Sequence, residues 1–316
     1  MHGNPSERAV INSMSQPFIT IIIPTFNRAE SLKKVLQSLD SLEKPDSIPI
    51  EVVIVNNGSN DETGSLLVRE MERSRPMFFK VLVEKRRGKA SALNRGIASA
   101  QGNLIFVVDD DVVVDPKCLV RHLECYRTTA FDAVQGRVLP GVDSEGRQAD
   151  PQRLQEYNIP IVDHGEDICD IRGLTGNNMS FRREVFEKVG LFNASLGPGA
   201  SGFSEDTEFS MRIREAGFKI GYMPSAVVYH ELDTSRYGRA YNRLAQYHKG
   251  QSSSLYRHRS IFLNIVPNLF ANSFRYLFYR ILGDCQKSYK TEGRVMRYWG
   301  YLMASVKKKA DSDPGR

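Results

Sequence analysis

The sequence predicts an α/β protein: a mostly parallel sheet with helices on both faces, followed by a helical C-terminal extension. Three observations predict it. Short apolar runs rich in β-branched residues alternate with helix-period stretches through the first half. Each run ends in polar or turn-forming residues, most sharply where Asp109, Asp110 and Asp111 follow Leu104–Val108. From Arg236 onward the pattern changes to basic residues interleaved with aromatics.

The elements follow in order. Phe18 to Ile23 is a strand stopped by Pro24. Leu32, Val35, Leu36 and Leu39 then share one helical face at i, i+3, i+4 and i+7. Ile50 to Val55 is a second strand, broken by Asn56-Asn57-Gly58-Ser59, and Asp61 is placed to cap the next helix. Phe79 to Val83 is a third strand. Lys89 to Ala100 is a helix ended by Gly102. Leu104 to Val108 is the fourth strand, and Pro116 suits the first turn of another helix. Strand and helix in strict alternation argue right-handed crossovers and a parallel sheet. The strand ends then gather three polar loops on one rim: Thr25 to Arg28, Asn56 to Asn60, and Asp109 to Asp111.

The second half has a looser pattern. Ala133 to Val138 is a strand, and Arg147 to Asp170 is mostly loop with a short helix. Gly176 to Phe181 is a turn into a strand, with a helix over Arg183 to Val189. Thr207 to Ala216 is helical and closed by Gly217. Pro224 splits two short strands that end at Tyr229 and His230.

Composition sets the frame. The chain has 316 residues, 25% of them charged and 41% hydrophobic, which is ordinary for a soluble globular protein. Its net charge is +6. The cysteines, at 118, 125, 169 and 285, have neither Cys-x-x-Cys nor zinc spacing, so reduced thiols in a cytosolic protein are expected. Residues 1–16 are polar and lack a signal-peptide core. No uncharged apolar stretch is long enough for a spanning helix. The motif Gly197-Pro198-Gly199-Ala200-Ser201-Gly202 fits the dinucleotide fingerprint only in its letters. It follows no strand of an early βαβ unit, and a flexible loop is expected.

The acid triplet carries the chemistry. Three carboxylates at the end of a buried strand repel one another unless a cation, a basic partner or water offsets them. Hard oxygen ligands at such a rim suit Mg²⁺ or Mn²⁺, which commonly share carboxylates with substrate phosphates. A solvated turn is the plainer alternative. A second acidic pair, Glu205-Asp206, stands before a helix, where it could serve as a cap, a base, or both.

Taken in order, Ile23 to Arg28, Val55 to Asp61, Gly88 to Gly96, Asp109 to Asp111 and Glu205-Asp206 resemble the family-2 glycosyltransferases. Those are inverting enzymes with the Rossmann-like GT-A fold that use nucleotide-diphosphate sugars. The resemblance covers roughly Phe18 to His230. It implies donor contacts from Pro24, Thr25, Asn27, Arg28, Asn57, Lys89, Asp109 and Asp110. It implies a metal held by Asp111, with His230 a further contact, and Asp206 as catalytic base beside Glu205. Gly176, Asn177 and Asn178 fall where such enzymes line the sugar and acceptor pocket. Asn56-Asn57 replaces the acidic pair common in uridine-diphosphate users, which leaves uridine, thymidine and guanosine donors open. The corresponding organisation is a loose extension at 1–16, a catalytic domain at 17–235 and a basic helical region at 236–316. Within the domain, residues 17–115 form the nucleotide-binding half and 116–235 the acceptor half.

Two other classes compete. A sugar-phosphate nucleotidylyltransferase would carry a Gly-rich triphosphate loop after the first strand, where this chain has Pro24 to Arg28. A non-catalytic glycan- or nucleic-acid-binding module is permitted by the basic tail, but no nucleic-acid motif accompanies the charge, and no nucleic acid is expected. The tail over residues 261–309 mixes Phe, Tyr, Trp, Arg and Lys, which suits a helix lying in a membrane interface. Helices covering the catalytic domain, or a homodimer, are the alternatives. The expected setting is peripheral, at the cytoplasmic face of the plasma membrane, with a glycan or lipid-linked acceptor.

Overall fold

The computed structural model describes residues 19–45, 48–143, 145–150 and 154–311. Phe18 and the predicted N-terminal extension lie outside them. Nine strands form one sheet in the order β3-β2-β1-β4-β8-β6-β9-β5, with β7 paired to β9. The strands are β1 (Ile19–Thr25), β2 (Ile50–Asn56), β3 (Phe78–Val83), β4 (Leu104–Val108), β5 (Val112–Val114), β6 (Ala133–Pro140), β7 (Cys169–Asp170), β8 (Asn178–Arg182) and β9 (Ile220–His230). Strands β1 to β4 are mutually parallel, and β8 runs antiparallel between β4 and β6. Crossover helices supply the reversals: α1 (Ala29–Asp40), α2 (Thr63–Met71) and α3 (Lys89–Ser99).

The predicted α1 face is buried as the spacing required, with Leu32, Val35, Leu36 and Leu39 all in the core. Every residue of β1 and β4 is buried, as expected of strands covered on both faces. Helix α3 lies close on this sheet at Gly96, where a Cβ would come 2.6 Å from Ile22.

Two element expectations are corrected. Pro224 does not split the last strand: β9 is continuous, and its pairing with β6 jumps from Gly136↔Met223 to Arg137↔Val227. The proline sits in the resulting bulge, where its missing N–H costs no ladder bond. The helix expected from Thr207 begins earlier, as α6 (Glu205–Glu215), so both acids lie in its first turn. The short strand β5 was not predicted. The helices α4 (Cys118–Thr128) and α5 (Arg183–Val189) complete the layers around the sheet.

Beyond β9 the chain is helical: α7 (Arg239–Tyr256), α8 (Val266–Ile281) and α9 (Cys285–Asp311), with a π turn over Ile261–Ile265. Buried Glu292 on α9 ties them together, accepting from Arg239 at 3.2 Å, Arg243 at 2.6 Å and the Tyr276 hydroxyl at 3.3 Å. The bundle also grips the layers around the sheet. The Tyr289 hydroxyl donates to Asn158 Oδ1 at 2.8 Å, and Ser252 Oγ donates to the Ser201 carbonyl at 2.9 Å. Among the described residues no helix is long and apolar enough to cross a membrane, and all four cysteines are free.

Candidate active site

The acid triplet closes β4 and meets the ends of β1 and β9. Register brings Asp111 to His230: β5 pairs Val112 with His230, and the Glu231 N–H donates to the Asp111 carbonyl at 2.9 Å. His230 is buried, and its Nδ1 lies 2.8 Å from the Glu231 carbonyl. Only a protonated Nδ1 can satisfy that oxygen, so in the neutral ring the Nε2 lone pair faces Asp111 Oδ1, 3.5 Å away. One carboxylate oxygen and one imidazole nitrogen at this spacing form a pair of donors that fits Mn²⁺ or Mg²⁺. Among the described residues no group of three or more His, Cys, Asp or Glu side chains is arranged to hold a metal alone. Further ligands would come from substrate oxygens or water.

Three basic side chains serve the three acids, and Arg28 is shared between Asp110 and Asp111. Arg28 donates to Asp111 Oδ2 at 3.0 Å, and its guanidinium lies 3.9 Å from Asp110 and 4.0 Å from Asp233. Arg236 reaches Asp111 at 3.8 Å and Asp233 at 3.0 Å. Lys89 lies 2.5 Å from Asp109 and 4.0 Å from Glu205. Burial alone would lower the Lys89 ammonium, but Asp109 and Glu205 outweigh it and hold it charged. Burial, and then the Asp111 charge, push Asp110 up to about 7 against the pull of Arg28. Asp111 moves the other way: against its burial, the positive charges around it, Arg28 and Arg236 among them, hold it below the usual carboxylate range.

Two cavities meet here. The smaller, of about 340 Å³, is lined by Pro24, Thr25, Phe26, Arg28 and the acid triplet, with Arg87 stacked over the Phe26 ring at 4.2 Å. The larger, of about 860 Å³, holds Gly176, Asn177, Glu205 and Asp206 and extends to the C-terminal helices. Lys89, Asp109, Pro198 and Arg236 line both. Asp206 faces the larger cavity with its carboxylate oriented by backbone: Oδ2 accepts from the Gly176 N–H at 3.2 Å and Oδ1 from the Thr207 N–H at 2.6 Å. Glu205 is buried behind it, and burial and then the Asp206 charge lift its carboxyl to about 7. Gly176 and Gly197 are needed for this approach. A Cβ would come 2.9 Å from Lys89 Nζ at the first and 2.8 Å from Glu205 Oε2 at the second, where φ is +86°. The loop 197–202 is no free coil. Its backbone bonds close on Gly197, and Pro198 accepts from the Lys89 N–H at 2.9 Å.

Three expected site residues have their side chains engaged in the scaffold. The Asn57 amide donates to the Glu84 and Arg86 carbonyls and accepts from the Gly88 N–H, all within 2.9 Å, so it shapes the loop before α3 while still lining the smaller cavity. A carboxylate could not make those two donations. Asn27 is exposed, at φ +53°, and its oxygen accepts from the Asn60 N–H. Asn178 is wholly buried: its amide holds the Arg137 and Ala226 carbonyls across the β9 bulge, and its oxygen meets His122 Nε2 at 2.9 Å. Side chains alternate across a strand, so Asn177, one residue earlier, faces the cavity instead. Among the described residues its buried amide has no hydrogen-bond partner at either atom, which is how a ligand-binding polar group stands ready.

Asp233, Arg236 and the Phe26–Arg87 pair were not singled out from sequence. Only their position just beyond a strand end, Asp233 and Arg236 after β9 and Phe26 after β1, could have marked them.

Comparison with known proteins agrees with this geometry. Residues 20–190 match the family described as Glycosyl transferase family 2. The chain is 25% identical to the probable glycosyltransferase YdaM of Bacillus subtilis over 70% of its length and 52% of that protein. It is 26% identical to the glycosyltransferase AglE of Haloferax volcanii, over 68% and 67%. It is also 25% identical to the poly-beta-1,6-N-acetyl-D-glucosamine synthase of Staphylococcus epidermidis, over 66% and 48%. It thus spans about half the length of two of these relatives. A mannosyltransferase of Pyrobaculum calidifontis, solved with GDP-Man and Mn²⁺, superposes with a TM-score of 0.64 at 18% identity, covering 95% of this chain and 89% of that one. TarS 1-349 of S. aureus, solved with UDP-GlcNAc, gives 0.53 at 15%, over 93% and 92%. These likenesses show the GT-A fold. With more than half of its length matched and that fold in place, the chain belongs to glycosyl transferase family 2.

Proposed function

We propose that the chain moves a sugar from a nucleotide-diphosphate sugar to an acceptor hydroxyl by a single inverting displacement, with Asp206 as general base. One observation carries this. The cavity that holds the acid triplet and its cations joins the cavity that holds Asp206, and Lys89 and Asp109 stand at the junction. The nucleoside fits against Pro24, Thr25 and Phe26, and the diphosphate against Arg28, Lys89 and Arg236. Asp111 and His230 would hold a divalent metal, Mg²⁺ or Mn²⁺, which when bound offsets charge on the departing diphosphate. The acceptor enters the larger cavity, where Asn177 offers a free donor and acceptor. Its hydroxyl loses its proton to Asp206 as oxygen bonds to the anomeric carbon. One displacement needs one base, and Asp206 is a partly exposed carboxylate beside the junction.

The reading extends to the tail. The exposed ridge of Phe262, Leu263, Phe270, Phe274 and Ile281 lies along the π turn and α8, flanked by exposed Arg275 and Arg280. That mixture fits an anionic lipid surface, with the apolar ridge in the acyl boundary and the arginines at headgroup level.

The test is acceptor-independent splitting and thermal stabilisation across uridine, thymidine and guanosine diphosphate sugars, with and without Mn²⁺. Metal-dependent preference for one diphosphate sugar supports the proposal. Preference for a triphosphate, or no response to any nucleotide, overturns it.

A further inference from the structure

The larger cavity runs well past Asp206, and its far wall is cationic. Lys249 on α7, Arg257 at the end of α7, and Arg294 and Arg297 on α9 all line it. Backbone contact forces this grouping. A Cβ on Gly250 would come 2.0 Å from the Arg297 carbonyl, and one on Gly300 2.0 Å from the Tyr247 carbonyl. Only glycines allow α7 and α9 to cross so closely, and the crossing sets Lys249 beside Arg297.

Among the described residues none of these four cations forms an ion pair. Lys249 lies over the Phe203 ring at 5.1 Å, and Arg297 Nε donates to the neutral Gln246 side chain at 3.0 Å. Arg257 stacks on Tyr256, and its Nε is buried without a hydrogen-bond partner. About two to three turns earlier on α7 the treatment differs: Arg239 and Arg243 are both neutralised by Glu292. The cost of the cavity cluster shows in its titration. Burial and then Arg297 lower the Lys249 ammonium, while Asp206 and Glu205 pull it back up. Like charges gathered on one concave wall focus potential on an anion. Lys249 feels the catalytic carboxylates, so that anion would sit next to the base.

We propose that the acceptor is a phosphate-bearing alcohol, its phosphate seated among Lys249, Arg257, Arg294 and Arg297 while its hydroxyl meets Asp206. This rests on the transferase reading and names its substrate class. The acceptor oxygen bonds to the anomeric carbon, the bond from that carbon to the diphosphate oxygen breaks, and the electron pair leaves with the diphosphate. The hydroxyl proton goes to Asp206, and the acceptor phosphate is unchanged. The cavity also borders Ile265, at the foot of the apolar ridge, so the phosphate can be soluble or lipid-borne.

Isothermal titration decides between these, with the donor side filled by a nucleoside diphosphate and Mn²⁺. The probes are glycerol phosphate and dodecyl phosphate, with glycerol and dodecyl maltoside as uncharged counterparts. Binding of a phosphate probe but not its counterpart is expected. The double variant Arg294→Gln, Arg297→Gln, at two exposed positions, should weaken it about tenfold or more and leave nucleotide affinity unchanged. Binding of dodecyl phosphate alone assigns a lipid-borne acceptor, and similar binding of both assigns a soluble one. Silence from both phosphate probes, equal binding of the uncharged ones, or unchanged affinity in the variant overturns the proposal. Acceptor-independent splitting of nucleotide sugar is read separately. A chain that binds dodecyl phosphate but splits no nucleotide sugar keeps this anion site and loses the transferase reading.

Discussion

Replacing Asp206 by Asn separates a base from a helix-start acid. The carboxylate accepts two backbone N–H bonds, from Gly176 and Thr207, and stands in the first turn of α6. An amide keeps one acceptor oxygen and turns an NH₂ toward the other donor. One hydrogen bond is lost, at about 1 kcal/mol, and the favourable charge at the helix start, at about 0.3–1 kcal/mol. A domain of this size should therefore lose only a few degrees of Tm. Loss of a general base costs ~10²–10⁴-fold in rate, or about 3–5 kcal/mol of transition-state stabilisation. The two consequences differ enough to be read apart.

The assay measures transfer turnover, donor affinity and Tm on the same preparation. Asp206→Asn is expected to bind nucleotide and metal as before, melt slightly earlier and lose transfer by at least two orders of magnitude, the lower end of general-base effects. Asp206→Ser, which can still accept a hydrogen bond, should be as inactive, because a hydroxyl cannot take the acceptor's proton at neutral pH. Turnover near that of the unaltered chain in Asp206→Asn would show that the carboxylate only orders the start of α6.

Three further outcomes are expected. Asp111→Ala should abolish Mn²⁺-dependent binding of nucleoside diphosphate with little change in Tm, since the acid lies at a strand end; unchanged metal-dependent affinity counts against Asp111 as ligand. Glu205 carries a folded value of about 7 against an ordinary 4.5, so its contribution to stability is present below the ordinary value and fades as pH rises through the folded one. Glu205→Gln should flatten the fall in Tm across that window, leaving a residual fall from Asp110, and an identical profile would remove the argument. The exposed α8 ridge should make the chain float with anionic vesicles more than with neutral ones, and less so at high salt; a soluble dimer that buries the ridge instead would refute the membrane assignment.

The first half of the fold was legible because period and composition agree there. Buried strands such as Leu104–Val108 are continuous apolar runs, α1 carries its core residues at helical spacing, and each strand stops at a polar loop. What periodicity could not show is which way a side chain points at a loop or a strand start. Asn177 and Asn178 are chemically alike and adjacent, yet one faces the cavity unpartnered and the other is consumed in the sheet. Asn57 and Asn27 read as donor contacts because Asn is a good polar ligand, but the same amides serve loops that only the folded chain brings near. Pro224 read as a strand breaker because a bulge is a property of two strands, and the partner lies far away in sequence.

The basic tail shows the same limit at larger scale. In sequence its arginines and lysines form one population of like charges, suited to any anionic surface. The fold divides them. Arg239 and Arg243 are neutralised by Glu292 and hold the helices together. Arg275 and Arg280 remain exposed beside the apolar ridge of α8. Lys249, Arg257, Arg294 and Arg297 turn inward to the cavity that reaches Asp206. Gly250 and Gly300 do the sorting, because only backbone contact between α7 and α9 places the last group side by side. A larger residue at either glycine would push the helices apart, and the four cations would then no longer stand together on one wall of the cavity.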